Sequence, residues 1–334
     1  MSEESVTRTN DDASQCKRSA VSLGYWQDPY LNELVPRQGL TFQGEMRKAP
    51  EIHLGYYTRV STIWNLLIKA VDKISEIQGK GAKVQILNLG AGYDTLFWRV
   101  QDYLESSFRN DMIKCFVDID LPEVTAKKCM SVRRSNNLLA KVAGVGNEEV
   151  KFSRTDMHGH CYHIVAVNFT DIDLLEKKLS ECTGFSYDLP TIFICECVMV
   201  YIEPTKANNF LKWTSTKFHS SIAMINHEQI NIFDKFGQVM LENLSQRGCS
   251  LPGIEACRNK NTHIQRLVSS GWDTGVCWTM YELYNLLPKE DVSRVEKIEF
   301  LDERELVNQL FEHYCVSFCW KNVSDLCFDE IEFF

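Results

Sequence analysis

Three stretches of this chain hold residue types suited to a ligand rather than to a core. The first is Val-Gln-Ile-Leu-Asn-Leu-Gly-Ala-Gly at residues 84–92, an apolar run that ends in two glycines one residue apart. Glycines at such a turn let the backbone approach a ligand closely. The second is the acidic pair Asp118 and Asp120, which closes the next apolar run at 113–119. A carboxylate in that position can accept both hydroxyls of a ribose. Asp120 directly precedes Leu121-Pro122, nearer the turn, and is the preferred of the two, although either acid could instead cap the following helix. The third is Glu196, which breaks the apolar segment 191–202. A charge among apolar neighbours at a strand end needs a cationic partner, from the protein or from a ligand.

The glycine turn also discriminates between cofactors. A dinucleotide fingerprint, Gly-x-Gly-x-x-Gly, would need glycine where Thr95 stands. Asp94 occupies a place where pyrophosphate requires positive potential, whereas it suits a helix N-cap. S-adenosylmethionine carries an ammonium and a sulfonium and no phosphate, so nearby acids do not oppose it. The turn therefore reads as a seat for S-adenosylmethionine. A metal reading of His158, His160, Cys161 and His163 is poorly supported, because a closed zinc site needs four convergent ligands and no second acidic or cysteine pair accompanies them. No metal is expected.

These residues need a scaffold. Apolar runs at 84–88, 113–119, 163–167, 191–195 and 221–225 alternate with helical patterns that begin at Asp94 and Pro122 and span 171–179 and 204–217. That alternation predicts an α/β fold with a parallel, doubly wound sheet. Further strand-like runs at 272–279 and 314–321 would close the sheet as an antiparallel pair. Ahead of the sheet, residues 52–77 place Val60, Ile63, Trp64, Leu67, Ile68 and Val71 at helical spacing. Residues 1–15 are polar and expected to be mobile, and 36–50 read as an exposed Gly/Pro loop. A helical pattern at 229–244 departs from the rhythm and marks an insertion of about 228–271, at the sheet edge where specificity is built. The expected division is an N-terminal arm and helical lid over 1–82 and a Rossmann-like domain over 83–334.

Composition narrows the function classes. Hydrophobic residues make up 44% and charged residues 24% of 334, enough apolar surface for a full core. A formal net charge of -9 repels phosphate backbones, so nucleic acid is not an expected partner. No apolar run is long enough to span a bilayer, and the polar first sixteen residues lack a signal-peptide pattern. Thirteen cysteines without a Cys-x-x-Cys pair read as reduced thiols. A cytosolic, also nuclear, monomer without membrane attachment is expected.

Five motifs, in order, resemble the leucine carboxyl methyltransferase family. They are Gly-Tyr-Trp-Gln-Asp-Pro-Tyr (24–30), Ala-Pro-Glu-Ile-His-Leu-Gly-Tyr (49–56), Leu-Gly-Ala-Gly-Tyr-Asp-Thr (89–95), Glu-Cys-Val-Met-Val-Tyr (196–201) and Tyr-Glu-Leu-Tyr-Asn-Leu-Leu-Pro (281–288). The resemblance runs from about residue 16 to 321. It implies a class I S-adenosylmethionine-dependent methyltransferase fold with a seven-stranded, mostly parallel sheet and helices on both faces. The implied reaction is methyl transfer to the α-carboxylate of the C-terminal leucine of protein phosphatase 2A catalytic subunits. The resemblance also implies that Gly90 and Asp120 contact the cofactor and that Glu196 lies near its methionine end. Lys17 and Arg59 match positions that hold a cofactor or substrate carboxylate, and Tyr201 matches a tyrosine close to the transferring methyl. Asn168-Phe169 stands where the family pattern has Asp-Leu facing adenine; an Asn oxygen can still accept from the adenine amino group, and Phe can cover the ring face. The loop at 36–48 looks longer than the family pattern.

Such a transfer needs no general base, because a carboxylate is already ionised at neutral pH. It needs a dehydrated carboxylate with one oxygen held by a cation and the other free to attack in line. Lys17 and Arg59 suit that task, Arg as a two-pronged clamp. The alternatives are methylation of another carboxylate or small molecule, or a catalytically silent phosphatase-binding module. An intact glycine turn, Asp120 and Glu196 argue against the silent module.

Overall fold

The apolar run ahead of the glycine turn becomes the central strand of the sheet in a computed structural model that describes residues 3–35, 48–146, 148–246, 248–323 and 326–333. The long loop expected at 36–48 falls outside them, apart from Lys48. Nine strands form one sheet: β1 (Val84–Leu89), β2 (Ile113–Asp120), the two-residue β3 (Lys151–Phe152) and β4 (Met157–His158), β5 (Tyr162–Ala166), β6 (Thr191–Glu196), β7 (Ile222–Gln229), β8 (Thr274–Thr279) and β9 (Tyr314–Lys321). Their order is β3-β4-β5-β2-β1-β6-β7-β9-β8. Strands β5, β2, β1, β6 and β7 run parallel, and β9 lies antiparallel between β7 and β8. The seven strands from β5 to β8 are the sheet that the sequence implies. The short antiparallel β3 and β4 extend its edge, and two-residue strands leave no periodicity to read.

The helices are α1 (Glu3–Ser22), α2 (Leu31–Leu34), α3 (Pro50–Gln78), α4 (Leu96–Ser106), α5 (Pro122–Arg134), α6 (Asn136–Ala143), α7 (Ile172–Ser180), α8 (Pro204–Lys217), α9 (Lys235–Gln246), α10 (Lys260–Val268), α11 (Met280–Leu286), α12 (Lys289–Val295) and α13 (Arg304–Glu312). Side chains of β1 alternate between two cores. Val84 and Ile86 join residues of α3, α4 and α5, whereas Leu87 and Leu89 join residues of α7, α8 and α10. Proline opens α3, α5 and α8, where its missing N–H costs no helical bond. Strand order reverses between β1 and β6, so a ligand crevice opens at their carboxyl ends.

The amino-terminal segment differs from expectation. Its polarity suggests mobility, yet α1 is helical from Glu3 and packs on α3. The ties come from residues further along the chain. Ser19 Oγ lies 2.8 Å from His53 Nε2, and His53 Nδ1 lies 2.6 Å from Glu299. Tyr25 donates its hydroxyl to the same Glu299 at 3.1 Å, and Arg294 donates to the carbonyls of Gly24 and Tyr25. The insertion also starts later than expected. Strand β7 continues through Asn226, His227, Glu228 and Gln229, all buried, before α9, a 3-10 turn at Ile254–Cys257 and α10. Among the described residues no helix is long and apolar enough to cross a membrane.

Candidate functional site

Gly90 and Gly92 take φ of +63° and +51°, a left-handed backbone that favours glycine. A Cβ on Gly90 would stand 2.5 Å from Val198 beyond β6, and one on Gly92 would collide with Asn10 of α1. The turn is therefore walled by the β6 exit on one side and the amino-terminal helix on the other. Asp120 holds it from β2: one carboxylate oxygen accepts from the Gly92 N–H and the other from the Leu121 N–H, both at 2.7 Å. Asp118 is engaged elsewhere. Lys128 Nζ reaches it at 2.6 Å, Asn88 and Tyr162 also donate to it, and it is 2% exposed. Of the two competing acids, Asp120 borders the turn and Asp118 is half of a buried ion pair.

Glu196 finds two cations, each from a different segment. Lys17 Nζ of α1 lies 3.1 and 3.2 Å from its two oxygens, and Arg59 Nε of α3 donates to Oε1. All three side chains are mostly buried. Burial alone would raise the Glu196 carboxyl, but Arg59 and then Lys17 overcome it and hold it at about 2. Chain geometry helps. Cys197 adopts φ +58°, turning the chain sharply after β6, and its N–H donates to the His227 carbonyl at 2.7 Å. The turn leads to Met199–Tyr201, whose Val200 N–H donates to buried Glu228 at 2.5 Å. Arg266 donates to the other Glu228 oxygen at 2.8 Å. Tyr201 is half-buried, and burial raises its pKa, so its phenol stays protonated.

A cleft borders this cluster, lined in part by Lys17, Trp26, Asp28, Tyr93, Arg99 and Glu196. Trp26 Nε1 and the Tyr93 hydroxyl are buried there without a hydrogen-bond partner, and so is Asn10 Nδ2 beside Gly92. Such unpartnered atoms are costly unless a ligand completes them. The sequence reading brings Lys17, Arg59, Tyr201, Gly90, Asp120 and Glu196 to one edge, and the structure places them there. It misses Trp26, Tyr93, Arg99, His227 and Glu228. The available signal for the last two was four polar residues closing an apolar strand at 226–229.

A family profile described as Leucine carboxyl methyltransferase matches residues 5–215. Leucine carboxyl methyltransferase 1 of Bos taurus is 40% identical, covering 99% of this chain and 94% of that protein. The protein of the same name from Caenorhabditis elegans is 35% identical over 93% of this chain and 90% of its own. The chain belongs to the leucine carboxyl methyltransferase family. A more distant relative, tRNA wybutosine-synthesizing protein 4 of Homo sapiens, is 30% identical and is covered over 43% of its length.

The protein is thus a methyltransferase, its methyl donor is S-adenosylmethionine, and the residues present fit that donor. The glycine turn leaves no room for a Cβ, Glu196 is an ionised carboxylate for an ammonium, and unpartnered buried polar atoms surround the turn. Two expectations for this methyltransferase need correction. Phe169 does not present a ring face at the edge: it is 5% exposed and packs edge-on against Phe210 at 4.8 Å. The side chain of a residue after a strand turns toward whichever core is apolar, here the one under α8. Asn168 is exposed, but its side-chain oxygen already accepts from the Thr170 N–H and hydroxyl. The histidine cluster also divides. His160 points to Glu148 and Cys161 accepts from Gln101, whereas His158 and His163 face each other Nδ1 to Nδ1 at 3.2 Å with Cys182 nearby. His163 donates from Nε2 to the Thr183 carbonyl, and burial lowers its pKa to about 4, so two neutral rings satisfy this pair.

Proposed function

We propose that this methyltransferase esterifies the α-carboxylate of the C-terminal leucine of the protein phosphatase 2A catalytic subunit. The observation that carries the proposal is the convergence of Lys17, Arg59 and Tyr201 on the Glu196 side of the glycine turn. The names of the relatives support leucine as the acceptor. S-adenosylmethionine, when bound, supplies an electrophilic methyl on a sulfonium. Gly90, Gly92, Asp120 and Glu196 would hold it. The acceptor arrives ionised, so this chain contributes positioning and charge rather than a base. Arg59 keeps its terminal nitrogens for one acceptor oxygen while its Nε stays on Glu196. Tyr201, protonated, donates a hydrogen bond to the same carboxylate. The arm over 1–82 acts as the lid, and the insertion supports the Tyr201 turn through the Gly253 N–H on the Val200 carbonyl at 2.9 Å. Together they exclude water, which strengthens every charge interaction inside.

The test is labelled methyl transfer to the intact phosphatase catalytic subunit, to one lacking its terminal leucine and to one ending in an amide. A base-labile methyl ester on the first alone is expected. Equal labelling of all three would show that the acceptor is not the terminal carboxylate.

A further inference from the structure

The cation at this edge that matters beyond the Glu196 cluster is Arg99, in the first turn of α4. It lines the same cleft as Lys17 and Glu196, and it is mostly enclosed. Its side chain makes no hydrogen bond or ion pair among the described residues. Its guanidinium carbon lies over the Trp64 ring, 4.6 Å from the centroid. Three carboxylates are close enough to pull on its charge, Asp28, Asp94 and Glu196, but all are engaged by other donors, Glu196 by Lys17 and Arg59. Asp28 accepts from the Tyr30 and Leu31 N–H groups and from the Thr95 hydroxyl at 2.5 Å. Asp94 accepts from the Leu96 N–H and from Asn88. Burial opposes the charge on Arg99, and no hydrogen-bonded acceptor offsets it. Trp26 Nε1 and the Tyr93 hydroxyl line the same cleft as further donors without acceptors.

We infer that Arg99, with the Trp26 indole N–H and the Tyr93 hydroxyl, forms a subsite for an α-carboxylate separate from the Lys17–Arg59–Glu196 cluster. All three groups can donate, and the carboxylates that share the cleft, Asp28, Asp94 and Glu196, are already engaged by other donors, so the matching ligand is an anion. The guanidinium is held over Trp64, and its planar fork matches a carboxylate in two-pronged fashion. The number of carboxylates to be held agrees, and this step rests on the proposed reaction. That reaction brings two carboxylates to one buried edge, one on the methionine part of the cofactor and one on the acceptor. Lys17 and Arg59 can meet one of them beside Glu196, and the unpaired Arg99 can meet the other.

The experiment measures binding by calorimetry for the wild type, Arg99→Gln and Arg99→Met, the latter keeping the contact with Trp64. The probes are S-adenosylhomocysteine, its decarboxylated analogue, and a leucine-terminated phosphatase tail peptide as free acid and as amide. If the subsite takes the cofactor's carboxylate, both variants weaken S-adenosylhomocysteine at least about thirtyfold and leave the decarboxylated analogue within about threefold, in line with loss of charge-assisted hydrogen bonds. If it takes the acceptor's, the free-acid peptide weakens by that factor and the amide does not. Either pattern supports the subsite and names its source. Parallel weakening of charged and uncharged probes would mean that Arg99 only packs, and would overturn the inference. So would near-wild-type binding of all four. Failure of the wild type to methylate any terminal carboxylate would sink the proposed reaction, yet the two cofactor probes would still report on Arg99.

Discussion

At the scale of single residues, the contact of Arg59 with Glu196 admits two readings, a structural ion pair or a device that handles a carboxylate. They separate by mutation. Arg59→Ala should lower methyl transfer at least about a hundredfold, since it leaves a buried carboxylate short of a partner and removes the acceptor's clamp. Arg59→Lys should recover little, because a point charge does not reproduce a fork. The double variant Arg59→Ala with Glu196→Gln should regain the lost stability but not the rate. Recovery of single-turnover rate along with the melting temperature would reduce Arg59 to a structural role. Glu196 was legible without any relative, because a lone acid in an apolar strand end demands an explanation. Lys17 and Arg59 were legible only through motif resemblance: they lie 179 and 137 residues from Glu196, and spacing carries no signal at that range. Arg99 was not legible at all. An arginine following Phe-Trp on an amphipathic helix looks like solvated surface, and only the fold reveals that Trp64 and the arm enclose it.

At the scale of elements, alternating apolar runs revealed the parallel strands because a strand buried on both faces is continuously hydrophobic. The same logic failed on β7, whose final four residues are polar yet buried. Burial there is stabilised by a network: His227 donates from Nδ1 to the Cys315 carbonyl at 2.9 Å, and Glu228 receives Val200 and Arg266. Such a network is a tertiary fact with no local period. It sets the Met199–Tyr201 turn, so Glu228→Gln should reduce kcat about tenfold with little change in cofactor affinity. A fall in affinity with kcat intact would instead place Glu228 under the cofactor. Helix α1 offers the opposite lesson. Composition makes residues 1–14 dispensable, whereas the structure sets Asn10 against Gly92 and buries Ser14, whose hydroxyl donates to the Asn10 carbonyl at 2.8 Å. Removing residues 1–14 should therefore weaken S-adenosylhomocysteine at least about fivefold and speed its release. Unchanged affinity and off-rate would return the functional start of the arm to Cys16.

At the scale of the whole molecule, burial lowers four histidines at three well-separated places, His158 lying beside His163. His163 on β5 and His263 on α10 are both lowered to about 4, and His227 on β7 to about 3. Burial is the largest cause in each, and each ring donates to, or lies against, a backbone carbonyl. In the unfolded chain the same rings protonate near the ordinary value of about 6.5. A depressed native pKa means that its stabilising contribution is complete above that value. It is lost as pH falls toward the native one, because the unfolded state binds protons that the native state refuses. Each histidine therefore removes up to about 1.4 kcal/mol per pH unit below 6.5. Asp118 and Asp120 act in the opposite sense, since burial raises both, so the total slope mixes terms and one residue must be isolated. His163 is the choice furthest from the chemistry, lying at the amino end of β5 with His158 as its partner, away from the glycine turn. Urea unfolding of the wild type and His163→Asn at steps from pH 7 to 5 should give curves that converge as pH falls, the wild type losing about 1.4 kcal/mol more per unit once below 6.5. Parallel curves would mean that His163 carries its proton in the native state. The His158–His163 contact would then be a charged pair rather than two neutral rings.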